Sequence, residues 1–170
     1  METPMSEHEI SSAVARAEAE LRDFGGRNLY THEVENFADV ILEIPSSPEA
    51  QERFEDMKEE LLSLLVRHGQ ALPGRLAAKV NFVLGRLNFL AGDQEPARVH
   101  FHEAARNGMH AAVIYYHLAM TYAADATLAA GERRRFTEKF LEMTAQAAGP
   151  ESGLGMEAAL HIKLIAVSKF

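Results

Sequence analysis

The chain has no cysteine and no tryptophan. Without cysteine there is no disulfide framework, no thiolate zinc site and no thiol redox centre. Long apolar runs are missing too. A bilayer span needs about 18 consecutive apolar residues, and none occurs. No basic leader followed by an apolar core opens the sequence, so the expected compartment is the cytoplasm. Bases are outnumbered, 17 Lys and Arg against 25 Asp and Glu, for a net charge of −8. That balance disfavours a nucleic-acid partner, because phosphate binding relies on lysine and arginine. Catalytic motifs are equally scarce. There is no Gly-x-Ser-x-Gly, no glycine-rich phosphate loop and no His-Glu-x-x-His. Nothing therefore points to an enzyme, a metal or a cofactor.

What is present is the balance of a folded domain: 170 residues, 47% apolar and 25% charged. That length suits one domain with a sizeable core. The charge is unevenly placed. Residues 1–60 hold sixteen acids against five bases, whereas the remainder holds nine acids against twelve bases. The acidic first part reads either as a solvated helix face or as a surface that attracts a basic partner.

Helix signals recur from end to end, and no segment alternates apolar and polar residues as a half-buried strand would. Ser6 with Glu9 forms a capping-box pattern and opens a helix whose stripe is Ile10, Val14, Ala17 and Leu21, ending at Gly25-Gly26. Thr31 caps an expected second helix carrying Val34, Phe37, Val40, Ile41 and Ile44. Pro45-Ser46-Ser47-Pro48 ends that helix and starts a third, which runs to about Gly69 with Phe54, Met57, Leu61, Leu64 and Leu65 on one stripe. Further helices are expected at about 75–91, 94–107, 110–126, 131–147 and 154–169. About eight helices joined by short loops imply antiparallel neighbours in an all-α domain. The expected organisation is N-terminal helices over 1–72, two hairpin units over 75–147 and a C-terminal capping helix over 154–170.

The stretch 78–147 carries an internal repeat. Asn81-x2-Leu84-Gly85-x2-Asn88 is followed by Gly92-Asp93 and then by Ala97-x3-Phe101-x2-Ala104. Thirty-four residues after the first element comes Tyr115-x2-Leu118-Ala119-x2-Tyr122. Gly85 and Ala119 fall where two antiparallel helices would cross, with Ala97 and Ala104 giving close approach from the facing helix and Phe101 filling the space between them. The pattern resembles the tetratricopeptide repeat, a helix hairpin with a 34-residue period that stacks into an α-solenoid. Departures from that family are Asn81 and Asn88 at positions usually aromatic, and Met109 in place of its proline. In the second unit Phe136-x3-Phe140-x2-Met143 takes the role of the Ala97 segment five residues late, which lengthens the connection around Asp125–Gly131.

The resemblance implies a protein-binding module. In that family the first helix of each pair lines a concave groove, which maps here to Lys79, Phe82, Arg86 and Phe89, and then to Val113, Tyr116 and Met120. Aromatics and methionine would supply apolar contact there, and the two cations would clamp carboxylates or helix-end carbonyls. The competing reading is that Phe82 and Phe89 pack on a neighbouring helix. The expected function is an adaptor, co-chaperone-like or assembly factor holding a partner peptide or helix. The alternative is a subunit of a homo- or hetero-oligomer whose groove is filled by its own C-terminal helix.

Three other features need weighing. His100 and His102 point roughly 200° apart on a helix and cannot share an ion, which leaves surface or packing roles for the histidines. Arg133-Arg134-Arg135 is a short basic run at a helix start, solvated or in contact with acidic surface. In the last helix Glu157, His161 and Ser168 form a narrow polar stripe, while apolar residues cover most of the circumference. Such a helix is expected to be buried on more than one side, either as an internal lid or by docking into another chain.

Overall fold

The computed structural model describes residues 3–24, 47–68 and 72–167, which form helices joined by short turns, with no strand. The helices are α1 (Thr3–Phe24), α2 (Pro48–His68), α3 (Gly74–Leu90), α4 (Gln94–Arg106), α5 (Ala111–Ala124), α6 (Ala130–Ala148) and α7 (Gly153–Val167). The all-α expectation holds, with seven helices among the described residues rather than eight. The helix expected at 31–44 and the stops at Gly25-Gly26 and Pro45 lie outside them. α1 begins at Thr3, ahead of the cap expected at Ser6. The chain gathers into two compact units, one containing α1–α4 and the other α5–α7, with the division between Met109 and His110.

In the first unit, residues three and four apart place Ile10, Ala13, Val14, Ala17 and Leu21 on one buried stripe of α1. That stripe joins Ala50, Phe54, Leu61 and Leu64 of α2 and Val80, Val83, Leu84, Leu87 and Leu90 of α3 in one core. Each large apolar side chain buried there stabilises by about 1.5–3 kcal/mol. The start of α2 is fixed by its cap: the Ala50 amide donates to Ser47 Oγ at 3.2 Å. Pro48 follows at the first helical position, where its missing N–H costs nothing. The Gln51 side chain donates from Nε2 to the Leu90 carbonyl at 3.0 Å, satisfying an orphan acceptor at the end of α3.

A seam of polar pairs ties α1 to α2 along their length: the ion pairs Arg16–Glu60 at 2.6 Å and Glu20–Arg53 at 3.5 Å, and a contact of His68 Nε2 with Glu9 at 3.8 Å. Residue numbers rise on one helix as they fall on the other, so the two run antiparallel. Glu9, Glu20 and Glu60 are thus turned toward basic side chains of the same chain. The two ion pairs, Arg16–Glu60 and Glu20–Arg53, join exposed side chains and contribute about 1 kcal/mol or less each.

The α3–α4 hairpin is built around Gly85. A Cβ placed there would stand 2.5 Å from Cε1 of Phe101, so the ring occupies the space a side chain would need. Ala97 and Ala104 flank that ring at 0% exposure. Asn81 and Asn88, which depart from the repeat pattern, are buried and satisfied within their own helix. Their amides donate to the carbonyls of Ala77 and Leu84 at 2.9 and 2.8 Å. Asn81 Oδ1 also lies 3.0 Å from His100 Nδ1, a bond in which the imidazole carries the proton on Nδ1. His100 therefore packs across the hairpin as a polar partner, and burial pushes its pKa down while Glu103 acts in the opposite direction.

In the second unit α5 is the enclosed element. Of its residues only Ala111 is exposed, and Ala112, Ile114, Leu118, Ala119, Met120, Thr121 and Ala123 are buried. His110 caps it, accepting the Ala112 amide on Nδ1 at 3.2 Å. The connection to α6 is organised by the Asp125 carboxylate, which accepts from the Thr127 amide at 3.0 Å and the Thr127 hydroxyl at 2.5 Å. α6 then sets its rings around α5. Tyr122 stacks between Phe136 and Phe140, with centroids at 4.9 and 5.3 Å. Phe140 also lies 6.3 Å from Tyr115. Its ring thus straddles Ala119 from one turn on either side, and the longer connection is what brings it there. Thr137 and Thr144 bury their hydroxyls by donating to the carbonyls of Arg133 and Phe140 in their own helix.

α7 packs chiefly on α6. Its turn is tight: the Gly149 carbonyl sits 1.9 Å from where a Cβ on Gly155 would be, and Ser152 Oγ accepts the Gly155 amide at 2.9 Å. Within the single chain this helix is buried on one side, so the burial expected of an internal lid is not seen. Its buried residues are Gly155, Ala158, His161 and Ile165, whereas Met156, Leu160 and Val167 are 52%, 45% and 78% exposed. The helix turns His161 and Glu157 inward, where both find a partner in Tyr116 of α5, while Ser168 of the expected stripe lies outside the described residues.

Candidate functional site

In the first unit the expected groove residues share one face of α3. Spacings of three and four residues bring Lys79, Phe82, Arg86 and Phe89 onto a strip about 80° wide. The strip lies between the surface packed on α4 and the surface packed on α1 and α2. Lys79 is exposed, and Phe82, Arg86 and Phe89 are half-buried. Phe82 rests its ring against Phe101 at 5.8 Å, tilted by 56°. Phe89 packs against the shared core of α1–α3. Both phenylalanines therefore combine the two expected roles: one part of each ring is core, and the rest remains open.

Arg86 is the unusual member. Burial lowers its pKa, while the Glu18 carboxylate on α1 acts in the opposite direction. Glu18 exerts its pull through space, and among the described residues no carboxylate, amide or carbonyl takes a hydrogen bond from the guanidinium. A partly desolvated guanidinium is well disposed to a carboxylate or a carbonyl, since charge-assisted bonds strengthen where water is displaced.

In the second unit the expected residues are more enclosed. Met120 is 9% exposed and belongs to the core. Val113 is half-buried. The Tyr116 hydroxyl donates to Glu157 Oε1 of α7 at 3.0 Å, and its ring lies 5.7 Å from His161 and 5.6 Å from His117. His161 is 2% exposed, and burial pushes its pKa down to about 4. A ligand that used Tyr116 would first have to move α7.

Elsewhere, α1 and α2 enclose an open cleft of about 410 Å³, lined by Ala13, Ala17 and Met57 and edged by Arg16 and Glu60. On α6, Arg135 sits over Phe136 at 5.1 Å and Lys139 over Phe140 at 5.9 Å, while Arg134 bonds Glu138 at 3.1 Å. Within the basic run, Arg135 thus makes a ring contact and Arg134 an ion pair in its own helix. Among the described residues no three histidine, aspartate or glutamate side chains converge on a point that could hold a metal. No described helix is long and apolar enough to cross a membrane.

Sequence reasoning missed two pairings, Glu18 with Arg86 and Tyr116 with Glu157. The first joins residues far apart in the chain and leaves no local signal. The second was half visible, in the polar stripe of Glu157 and His161. Compared with known family models, with curated proteins and with solved structures, the chain matches none.

Proposed function

We propose that this protein is an interaction module with tetratricopeptide-like hairpins, holding a peptide or helix of a partner protein along the α3 face of Lys79, Phe82, Arg86 and Phe89. The hairpin reading is supported by the Phe101 ring seated over Gly85, and by Phe140 straddling Ala119 in the second hairpin. On this reading the protein works as an adaptor, co-chaperone-like or assembly factor in the cytoplasm, without catalysis, metal or cofactor.

The observation that carries the binding face is the half-buried Arg86, a cation between two partly open phenylalanine rings and two turns of helix away from further positive charge at Lys79. Apolar anchors beside a partly desolvated arginine are the composition of an interface hot spot. The chemistry favours a partner segment offering a carboxylate or helix-end carbonyls together with an apolar side chain. The test is affinity capture from the native host with tagged wild type and with Lys79→Glu/Arg86→Glu, alongside melting curves for both. The expected result is loss of the captured partner with the melting temperature nearly unchanged. Equal capture by both proteins, or loss only with unfolding, would count against this face.

A further inference from the structure

We propose that the chain self-associates through α7, two copies packing this helix antiparallel about a two-fold axis. α7 is docked with its polar stripe inward, so the exposed residues Met156, Leu160, Lys163 and Val167 fall along its outer side. Their spacing of four, three and four residues is that of a two-helix seam. Three of the four are large and apolar, and Ala159 and Ala166 beside them are small enough to let a second helix approach closely.

A second copy is singled out as occupant by charge. The outer side carries one cation, Lys163, and the same helix carries one half-buried carboxylate, Glu157, on its flank. With the two-fold axis between Leu160 and Lys163, Met156 of each copy meets Val167 of the other. Leu160 packs on the aliphatic stem of the opposing Lys163. The ammonium then reaches the opposing Glu157, one turn further along, and symmetry makes that pair twice. An unlike partner would need to bring its own acid to the same place. The helix already holds both halves of a self-complementary pattern. Glu157 keeps its bond from Tyr116 through Oε1 and has a second carboxylate oxygen for the lysine. One helix face per copy is a small interface, so association in the micromolar range is expected, roughly 10–100 µM.

The experiment is sedimentation equilibrium of the full chain from roughly 1 µM to roughly 500 µM, bracketing that range. Wild type should pass from monomer to dimer. Leu160→Glu should remain monomeric throughout, with its circular dichroism unchanged because Leu160 touches solvent rather than core. Lys163→Glu should weaken dimerisation at least fivefold by opposing Glu157, and Glu157→Lys/Lys163→Glu should restore it. Tyr116→Phe removes the internal bond to Glu157 while keeping the ring, and should leave dimerisation within twofold of wild type. A wild-type chain that stays monomeric over the whole range would overturn the proposal, as would a dimer indifferent to Leu160→Glu. Failure of the charge swap to restore association, with α7 still protected from hydrogen exchange, would overturn the antiparallel register.

Discussion

Replacing Gly85 by alanine opposes two effects of known size. On an open helix surface the change stabilises, since alanine exceeds glycine by about 1 kcal/mol in helix propensity. Here the new methyl would stand 2.5, 2.6 and 2.9 Å from three carbons of the Phe101 ring, closer than nonbonded carbons approach. The ring is 1% exposed and held between Ala97 and Ala104, so it cannot swing away. Overpacking of this kind costs about 1–3 kcal/mol, which outweighs the propensity gain except at its lowest value. The net expectation is destabilisation of about 1 kcal/mol for Gly85→Ala and more for Gly85→Leu. For a chain of this length that is a fall of about 2–4 °C in melting temperature per kcal/mol. The assay is urea denaturation followed by circular dichroism, run as a double-mutant cycle with Phe101→Leu. The smaller side chain should remove most of the penalty of Gly85→Ala, giving an interaction energy of about 1 kcal/mol. A stabilised Gly85→Ala protein, or a cycle that is simply additive, would refute the tight crossing.

Other expectations concern α7. The folded-state pKa of His161 is lowered to about 4, so the unfolded chain takes up its proton first as pH falls. Stability should therefore be full above the ordinary histidine value and decline as pH drops from about 6.5 toward about 4, by about 3 kcal/mol in all. Urea titrations at several pH values should show the acid side of this dependence flattened in His161→Leu, and an unchanged profile would exclude the assignment. Gly155→Ala should undock the start of α7, because its methyl would meet the Gly149 carbonyl. Faster hydrogen exchange across 153–167 would report the loss, and wild-type protection would contradict the geometry.

Most helices were legible because they are written in local terms. Period, proline and glycine punctuation place α2 through α7 within a residue or two, since the same few residues decide propensity, capping and the apolar stripe. The crossing at Gly85 was legible for a related reason: a small residue on one helix and a phenylalanine between two alanines on the next leave one compact way to pack. What stayed hidden depends on residues that meet only after folding. Girth alone cannot say which side of α7 faces in, and the tyrosine on α5 that draws its polar stripe inward is forty-one positions from Glu157. For α5 the sequence shows the same all-round apolarity, and there the surroundings do close over it. The polar substitutions Asn81 and Asn88 read as departures from a repeat, yet each is satisfied one turn back along its own helix. The face at Arg86 was legible as a set of positions. The fact that makes it chemically distinctive, half-burial beside a distant Glu18, belongs to the docking of α1.

That docking has a consequence at the level of alignment. The seam reads Glu9, Arg16, Glu20 along α1 against His68, Glu60, Arg53 along α2. Slide α1 by one heptad in one direction and Glu9 comes opposite Glu60 while Arg16 meets Arg53. Slide it in the other and Glu20 comes opposite Glu60. Either slip would leave the apolar stripes facing, since they repeat at nearly that interval, but would set like charges together at each step. Pairs too weak to hold two helices together are strong enough, in sum, to choose between neighbouring alignments. The choice fixes which turn of α1 comes level with Arg86, and so whether Glu18 is there to offset the burial of that guanidinium.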